Sequence, residues 1–136
     1  MSAEFHGLPC WYELSTSDPD AAQGFYGGLL GWSWASAGMP GMDYRLASVG
    51  GKMVAGMMKG EAGGPPPMWT IYYAAGDIDA TAAAMTADGA TSIVPPTDIP
   101  GTGRFSLLAD PQGAVFGLLQ PLPMENDSSA GGAFNQ

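Results

Sequence analysis

Hydrophobic residues recur at helical spacing in two segments of the chain and alternate with polar residues in several shorter runs. The first helix is predicted to begin after Asp18, an N-cap residue that precedes Pro19 at the first helical position. The second is predicted over 77–88, with Asp77 as its N-cap and Gly89 as the residue that ends it. The shorter runs predict strands separated by turns rich in glycine and proline. Eight strands are expected, at 10–15, 31–36, 43–49, 52–59, 68–75, 90–98, 104–110 and 114–122.

The same order of elements occurs twice along the chain. The letters DPDA at 18–21 open the first helix and DIDA at 77–80 open the second, and each helix is followed by strands. This repetition predicts two tandem βαβββ modules and an α+β fold class. The predicted organisation is one domain over 1–123, with modules at about 7–60 and 68–122, a linker at 61–67 and a disordered, polar tail at 124–136.

The charge balance of the chain argues against some classes of binding partner. Its 136 residues include 13 carboxylate and four basic side chains, a net charge of -9 at pH 7. Nucleic acids and anionic membranes attract clustered positive charge, so neither is expected as a partner. Cys10 is the single cysteine, which excludes an intrachain disulfide and fits a reducing compartment. No secretory signal and no membrane-spanning run is recognisable, so we expect a soluble cytoplasmic protein.

Two segments carry a family resemblance. The run SDPDAAQGFYGGLLGW at 17–32 and the run DPQGAVFGLLQP at 110–121, together with the two βαβββ modules, resemble the vicinal oxygen chelate superfamily. That superfamily includes glyoxalase I, ring-cleaving dioxygenases, fosfomycin-resistance transferases and bleomycin-binding proteins, and this chain is most similar to its actinobacterial glyoxalase-like and bleomycin resistance-like members. The resemblance covers about 7–122. It implies a curled eight-stranded mixed sheet that forms a cup over a shared cavity, and it implies a homodimer.

The resemblance also implies where a metal would bind. Metal-dependent members carry one ligand, mostly His or Glu, on the first and last strand of each module. In this sequence those positions fall at Trp11, near Gly56, at Trp69 or Thr70, and at Gly117. Tryptophan and glycine side chains offer no imidazole nitrogen, thiolate or carboxylate oxygen, which are the atoms that divalent metals bind. We therefore expect no metal and no other cofactor.

Glu13 is the carboxylate whose predicted position on the first strand could face the cavity. On a strand it shares a face with Trp11 and Ser15, and that face points into the cavity if Trp11 stands at the ligand position. Among apolar side chains the pKa of Glu13 would rise, which suits a general base or a hydrogen-bond partner for a ligand. Alternatively, Glu13 pairs with Arg45 or Arg104, or points into solvent.

Two other reactive side chains have simpler interpretations. His6 precedes the first strand and is expected to be a surface histidine, although it could act as an acid or base near neutral pH. Cys10 has no second histidine nearby in the sequence to activate it, so we expect a small buried hydrophobic residue rather than a nucleophile.

Aromatic and methionine side chains are frequent on the predicted strands. Those that face the cup would give a flat, polarizable wall able to hold a planar organic ligand. The predicted ligand-binding residues are Trp11, Glu13, Trp69, Tyr72, Met57 and Gly117.

The leading functional hypothesis is a metal-free glyoxalase or bleomycin resistance-like protein that binds a medium-sized, partly aromatic small molecule. The alternative is a metal-independent lyase, isomerase or cyclase acting on a natural-product intermediate, with Glu13 as the catalytic general base. A metal-dependent enzyme of the superfamily is a third hypothesis, and a purely structural module would give a similar sequence pattern.

Overall fold

The computed structural model describes residues 6–61 and 63–122. Their elements follow the order predicted from the sequence, two successive βαβββ runs, and the segments are β1 Pro9–Thr16, α1 Pro19–Leu30, β2 Ser33–Ser36, β3 Tyr44–Val49, β4 Lys52–Lys59, β5 Met68–Ala74, α2 Ile78–Ala87, β6 Thr91–Ile99, β7 Gly103–Ala109 and β8 Val115–Pro121. The eight strands form an open mixed sheet, which confirms the predicted fold class. The tail predicted at 124–136 lies outside the described residues.

Both helices begin where the capping chemistry places them. The side chain of Asp18 accepts a hydrogen bond from the backbone N–H of Ala21, and Asp77 accepts one from Ala80, each at 3.1 Å. These bonds satisfy amide groups that have no partner within the helix. At the end of α1, Gly31 takes a left-handed conformation with φ of 72° and donates its N–H to Gly27. Because Gly31 caps the helix, β2 starts later than the sequence pattern predicts.

The chain divides into two compact units, one built on Trp11–Thr70 and the other on the residues from Ile71 onward together with the segment up to Cys10. In the first unit the strand order is β2-β3-β4-β1, and β1 and β4 run parallel. Leu14 and Met57 are buried partners on these two strands. The second unit has the order β5-β8-β7-β6, with β5 and β8 parallel.

The core of the second unit lies under α2. Ile78 and Leu108 are fully buried there, and Tyr73 and Phe116 pack against the cluster with their rings edge to face at 6.2 Å. The side-chain amide oxygen of Gln120 on β8 accepts a hydrogen bond from the backbone N–H of Ile78 at 2.8 Å. This bond joins the start of the helix to the sheet and satisfies a second amide of its first turn. In the described residues no helix is long and apolar enough to cross a membrane.

Candidate functional site

A glycine faces a larger residue at equivalent places in both units. In the first unit the parallel pairing of β1 and β4 sets Glu13 beside Gly56. In the second unit the pairing of β5 and β8 sets Tyr72 beside Gly117. The family resemblance implies that the last-strand metal ligands of the superfamily would fall at or near these two glycines. The structure shows what takes up the space that each missing side chain leaves.

Tyr44 on β3 occupies the space at Gly56. A Cβ added at Gly56 would collide with the hydroxyl end of the Tyr44 ring. That hydroxyl accepts a hydrogen bond from the indole N–H of Trp11 at 3.1 Å and donates one to Oε2 of Glu13 at 2.7 Å. The three side chains are half-buried. Glycine at position 56 therefore permits a hydrogen-bonded chain, Trp11 to Tyr44 to Glu13, on one face of the first unit.

Tyr44 is not among the site residues predicted from the sequence. Trp11 and Glu13 were predicted to share one face of β1, because alternate residues of a strand point to the same side, and both are bonded to the Tyr44 hydroxyl. Tyr44 joins them only through the register of β3 against β4, which pairs Tyr44 with Met58 and Leu46 with Gly56. A tyrosine on a predicted strand and a glycine on the next are too common to reveal such a contact.

The space at Gly117 is filled by the ring of Tyr72, its neighbour on β5. A Cβ added at Gly117 would overlap this ring, and Tyr72 is only 6% exposed. Leu107 on β7 is the partner of Gly117 on its other side. The space at Gly117 is therefore taken up by a buried tyrosine ring, as the space at Gly56 is by the half-buried ring of Tyr44.

Met57 and Trp69 do not share the faces of the other predicted ligand-binding residues. Met57 follows Gly56 on β4, so its side chain points to the opposite face, where it is fully buried. The indole N–H of Trp69 donates to the hydroxyl of Tyr26 on α1 at 3.1 Å, and the two rings meet edge to face at 5.4 Å. Strand alternation also sets Trp69 and Tyr72 on opposite faces of β5. We therefore leave Met57 and Trp69 out of the candidate site.

The arginines considered as partners of Glu13 bind aspartates. Arg45 forms ion pairs with Asp20 and Asp43, at 2.9 and 3.0 Å. Its hydrogen bond lowers the pKa of Asp43 below the ordinary value of an aspartate. Arg104 pairs with Asp79 and Asp98, both at 2.9 Å. Glu13 accepts a hydrogen bond from the Tyr44 hydroxyl.

Cys10 and His6 are the other two reactive side chains considered in the sequence. Cys10 is 1% exposed, and burial raises the pKa of its thiol to about 12, so the thiolate is scarce at neutral pH. The structure thus agrees with the interpretation of Cys10 as a small buried residue. His6 is exposed, and its Nδ1 accepts a hydrogen bond from the backbone N–H of Gly76 at 3.2 Å.

The side chains at the implied ligand positions do not fit a metal centre of the superfamily type. Trp11, Gly56, Trp69 and Gly117 supply no donor atom of the required kind. Both glycine positions are covered by tyrosine rings. Within the part of the chain that the structure describes, no three His, Cys, Asp or Glu side chains lie together where they could hold a metal ion.

Comparison with known families agrees with this fold. Residues 10–118 match the family described as the Glyoxalase/Bleomycin resistance protein/Dioxygenase superfamily. The chain belongs to this superfamily. Since the match spans most of the chain and both βαβββ runs, the family resemblance expected from the two sequence segments is confirmed.

Curated superfamily relatives come from actinobacteria. The glyoxylase-like protein CFP32 of Mycobacterium tuberculosis is 42% identical over 120 residues, which cover 88% of this chain and 46% of that protein. The anthracycline biosynthesis protein DnrV of Streptomyces peucetius is 32% identical over 140 residues, covering 92% of this chain and 51% of that protein. The chain spans about half the length of the curated relatives it matches.

Solved structures of the superfamily share the fold at low sequence identity. The methylmalonyl-CoA epimerase of Mycobacterium tuberculosis superposes with a TM-score of 0.65 at 18% identity, covering 90% of this chain and 94% of the other. The Mn(II)-bound glyoxalase of Novosphingobium aromaticivorans gives a TM-score of 0.61 at 20% identity, over 94% of this chain and 41% of that one. At these identities the likeness concerns the fold alone.

Proposed function

We propose that this protein binds a medium-sized, partly aromatic small molecule, without a metal, on the face of the first unit that carries Trp11, Glu13 and Tyr44. The observation that carries the proposal is the hydrogen-bonded chain through the Tyr44 hydroxyl, with distances of 3.1 and 2.7 Å. Such polar groups, set among half-buried aromatic rings, hold a planar ligand by stacking and fix its orientation by hydrogen bonds.

The residues at the implied ligand positions support binding without a metal. Gly56 and Gly117 stand where the resemblance implies last-strand ligands, and tyrosine rings cover both. The actinobacterial relative DnrV supports the aromatic part, because its name assigns it to anthracycline biosynthesis. Anthracyclines contain fused planar rings, so an anthracycline is a reasonable first probe. We also propose that the protein resides in the cytoplasm, since a free, buried cysteine such as Cys10 is compatible with a reducing compartment.

Equilibrium dialysis against an anthracycline and a panel of planar aromatic metabolites tests this function. We expect at least one saturable ligand, at least tenfold weaker binding by Trp11→Ala, and little change for Trp69→Ala. Trp69 is the matched control, since it is another tryptophan of the first unit but its indole is bonded to Tyr26 on α1. If no compound binds saturably, or if both variants lose affinity equally, the proposed site is wrong.

A second candidate function is metal-independent catalysis with Glu13 as general base. Its specific support is the 2.7 Å hydrogen bond from the Tyr44 hydroxyl to Oε2 of Glu13, which fixes the orientation of the carboxylate. In such a lyase, isomerase or cyclase, Glu13 would accept a proton from a bound substrate. Glu13→Gln keeps an oxygen acceptor for Tyr44 but removes the base, so we expect turnover to be lost and ligand binding to persist. Unchanged turnover in this variant would exclude Glu13 as the base.

A further inference from the structure

The hydrogen bonds of the proposed binding site run in one direction. The indole N–H of Trp11 donates to the Tyr44 hydroxyl at 3.1 Å, and this hydroxyl donates to Oε2 of Glu13 at 2.7 Å. An indole has a single N–H and a phenol a single O–H, so both hydrogens are used between the three side chains. The series ends on a carboxylate, which accepts hydrogen bonds and donates none when ionised. A ligand that contacts Glu13 must therefore bring the donor.

The surroundings of Glu13 suit a donor that carries a positive charge. A carboxylate has about four lone-pair positions on its two oxygens, and the Tyr44 hydroxyl takes one of them. Hydrogen bonds from a cation to a carboxylate are stronger than those from a neutral group. The aromatic rings of Trp11 and Tyr44 are bonded into the same half-buried group, and ring faces attract cations as well. A protonated amine combines N–H donors with a positive charge.

The distribution of charge disfavours an anionic ligand at this place. The net charge of -9 raises the local concentration of cations around the protein. Arg45 follows Tyr44 on β3, so it points to the opposite face, where it donates to Gln23 on α1 at 2.9 Å. Lys59 follows the strand partner of Tyr44 on β4 and points to that opposite face too. An aromatic carboxylate or phosphate would thus meet the negative charge of Glu13.

From these observations we propose that the ligand carries a protonated amine next to its planar rings and that this amine donates a hydrogen bond to Glu13. The inference rests on the proposed binding function and names the chemical class of the ligand. A neutral hydroxyl or amide also donates hydrogen bonds, but it gains nothing from the charge of the carboxylate. We expect the amine to strengthen binding about tenfold or more over a neutral ligand with the same rings.

Equilibrium dialysis of the full chain against matched pairs of probes tests the inference. One pair is an anthracycline with a primary amine on its sugar and the N-acetyl derivative of the same compound. Tryptamine and N-acetyltryptamine repeat the comparison on a smaller ring system. Within each pair the rings are identical, and only the first compound is a cation near neutral pH. We expect the unchanged protein to bind the amine of at least one pair about tenfold or more tightly than its N-acetyl partner.

Two variants assign this preference to one carboxylate. Glu13→Gln removes the charge but keeps an oxygen acceptor for the Tyr44 hydroxyl, so the two probes of a pair should bind it with nearly equal affinity. The N-acetyl probe should bind this variant as it binds the unchanged protein. Glu61→Gln is the matched control, because it makes the same change in net charge at an exposed residue after the end of β4. This control should keep the full preference for the amine.

The possible results separate the inference from the proposed function. If both probes of a pair bind with equal affinity to the unchanged protein, aromatic binding stands and the inference is overturned. If no probe of either pair binds saturably, both the inference and the proposed function fail. A preference that persists in Glu13→Gln, or that Glu61→Gln loses equally, would come from the overall charge and overturns the inference. The comparison on the unchanged protein needs no variant, and far-ultraviolet circular dichroism establishes that both variants are folded.

Discussion

Replacing Tyr44 with phenylalanine removes one hydroxyl and keeps the ring that fills the space at Gly56. The hydroxyl takes part in a neutral hydrogen bond from Trp11 and a hydrogen bond to the carboxylate of Glu13. A neutral bond contributes about 0.5–1.5 kcal/mol and one to a charged group about 1.5–3 kcal/mol. Since the side chains are only half-buried, water can replace part of this contribution. We expect Tyr44→Phe to lower the free energy of unfolding by about 1–3 kcal/mol.

Urea denaturation followed by far-ultraviolet circular dichroism measures this loss. All samples are compared at one protein concentration, because association would contribute to apparent stability. A double-mutant cycle with Glu13→Ala, which removes the acceptor of the Tyr44 hydroxyl, separates the pairwise interaction from other effects of each change. We expect a coupling energy of about 1 kcal/mol between the two positions. Additive effects, or an unchanged stability of Tyr44→Phe, would refute the idea that the hydroxyl joins Trp11 and Glu13 into one unit.

Three further predictions concern other parts of the chain. Gly117→Ala should destabilise the protein by about 1–3 kcal/mol in the same assay, because the added Cβ overlaps the ring of Tyr72. Gly24→Ala, whose Cβ meets nothing within 4 Å, should be neutral or stabilising by up to about 1 kcal/mol. Equal effects of the two substitutions would contradict the packing at Gly117. Cys10 should react with a maleimide only as fast as the chain unfolds, and rapid labelling of the native protein would show an accessible thiol. Because burial raises the pKa of this thiol from 9.0 to about 12, its contribution to stability should be lost as the pH rises above about 9. The pKa of Asp79 is lowered from 3.8 by its hydrogen bond with Arg104, so the contribution of Asp79 to stability is present above about pH 3.8 and lost on further acidification. The melting temperature of Asp79→Asn should therefore fall less between pH 5 and 2 than that of the unchanged protein. Parallel curves for the two proteins would contradict this.

The helix starts were predictable because their signals are local. Asp18 and Asp77 cap the helices through amides three residues later, and this chemistry requires no knowledge of the rest of the fold. The extent of β2 was less predictable. Gly31 could begin a strand or end a helix, and its left-handed conformation is decided by the cap that it forms with Gly27.

The candidate site was only partly predictable because it depends on contacts between distant strands. Trp11 and Glu13 could be grouped, since strand alternation sets them on one face. The same rule separates Met57 from Gly56, so the sequence already carried the signal against placing both in one site. Tyr44 required the pairing of β3 with β4, whose register shifts between Ala47 and Ser48. Such a shift leaves no mark in the hydrophobic pattern.

Fluorescence titration with an anthracycline before and after metal removal tests directly whether the protein binds an aromatic ligand without a metal. The protein is dialysed against EDTA, and emission of its tryptophans is followed as the probe is added, with Trp11→Ala titrated in parallel. We expect saturable binding at one ligand per chain that EDTA leaves unchanged and that Trp11→Ala weakens at least tenfold. Binding that disappears after EDTA and returns with an added divalent metal, or the absence of saturable binding, would contradict it.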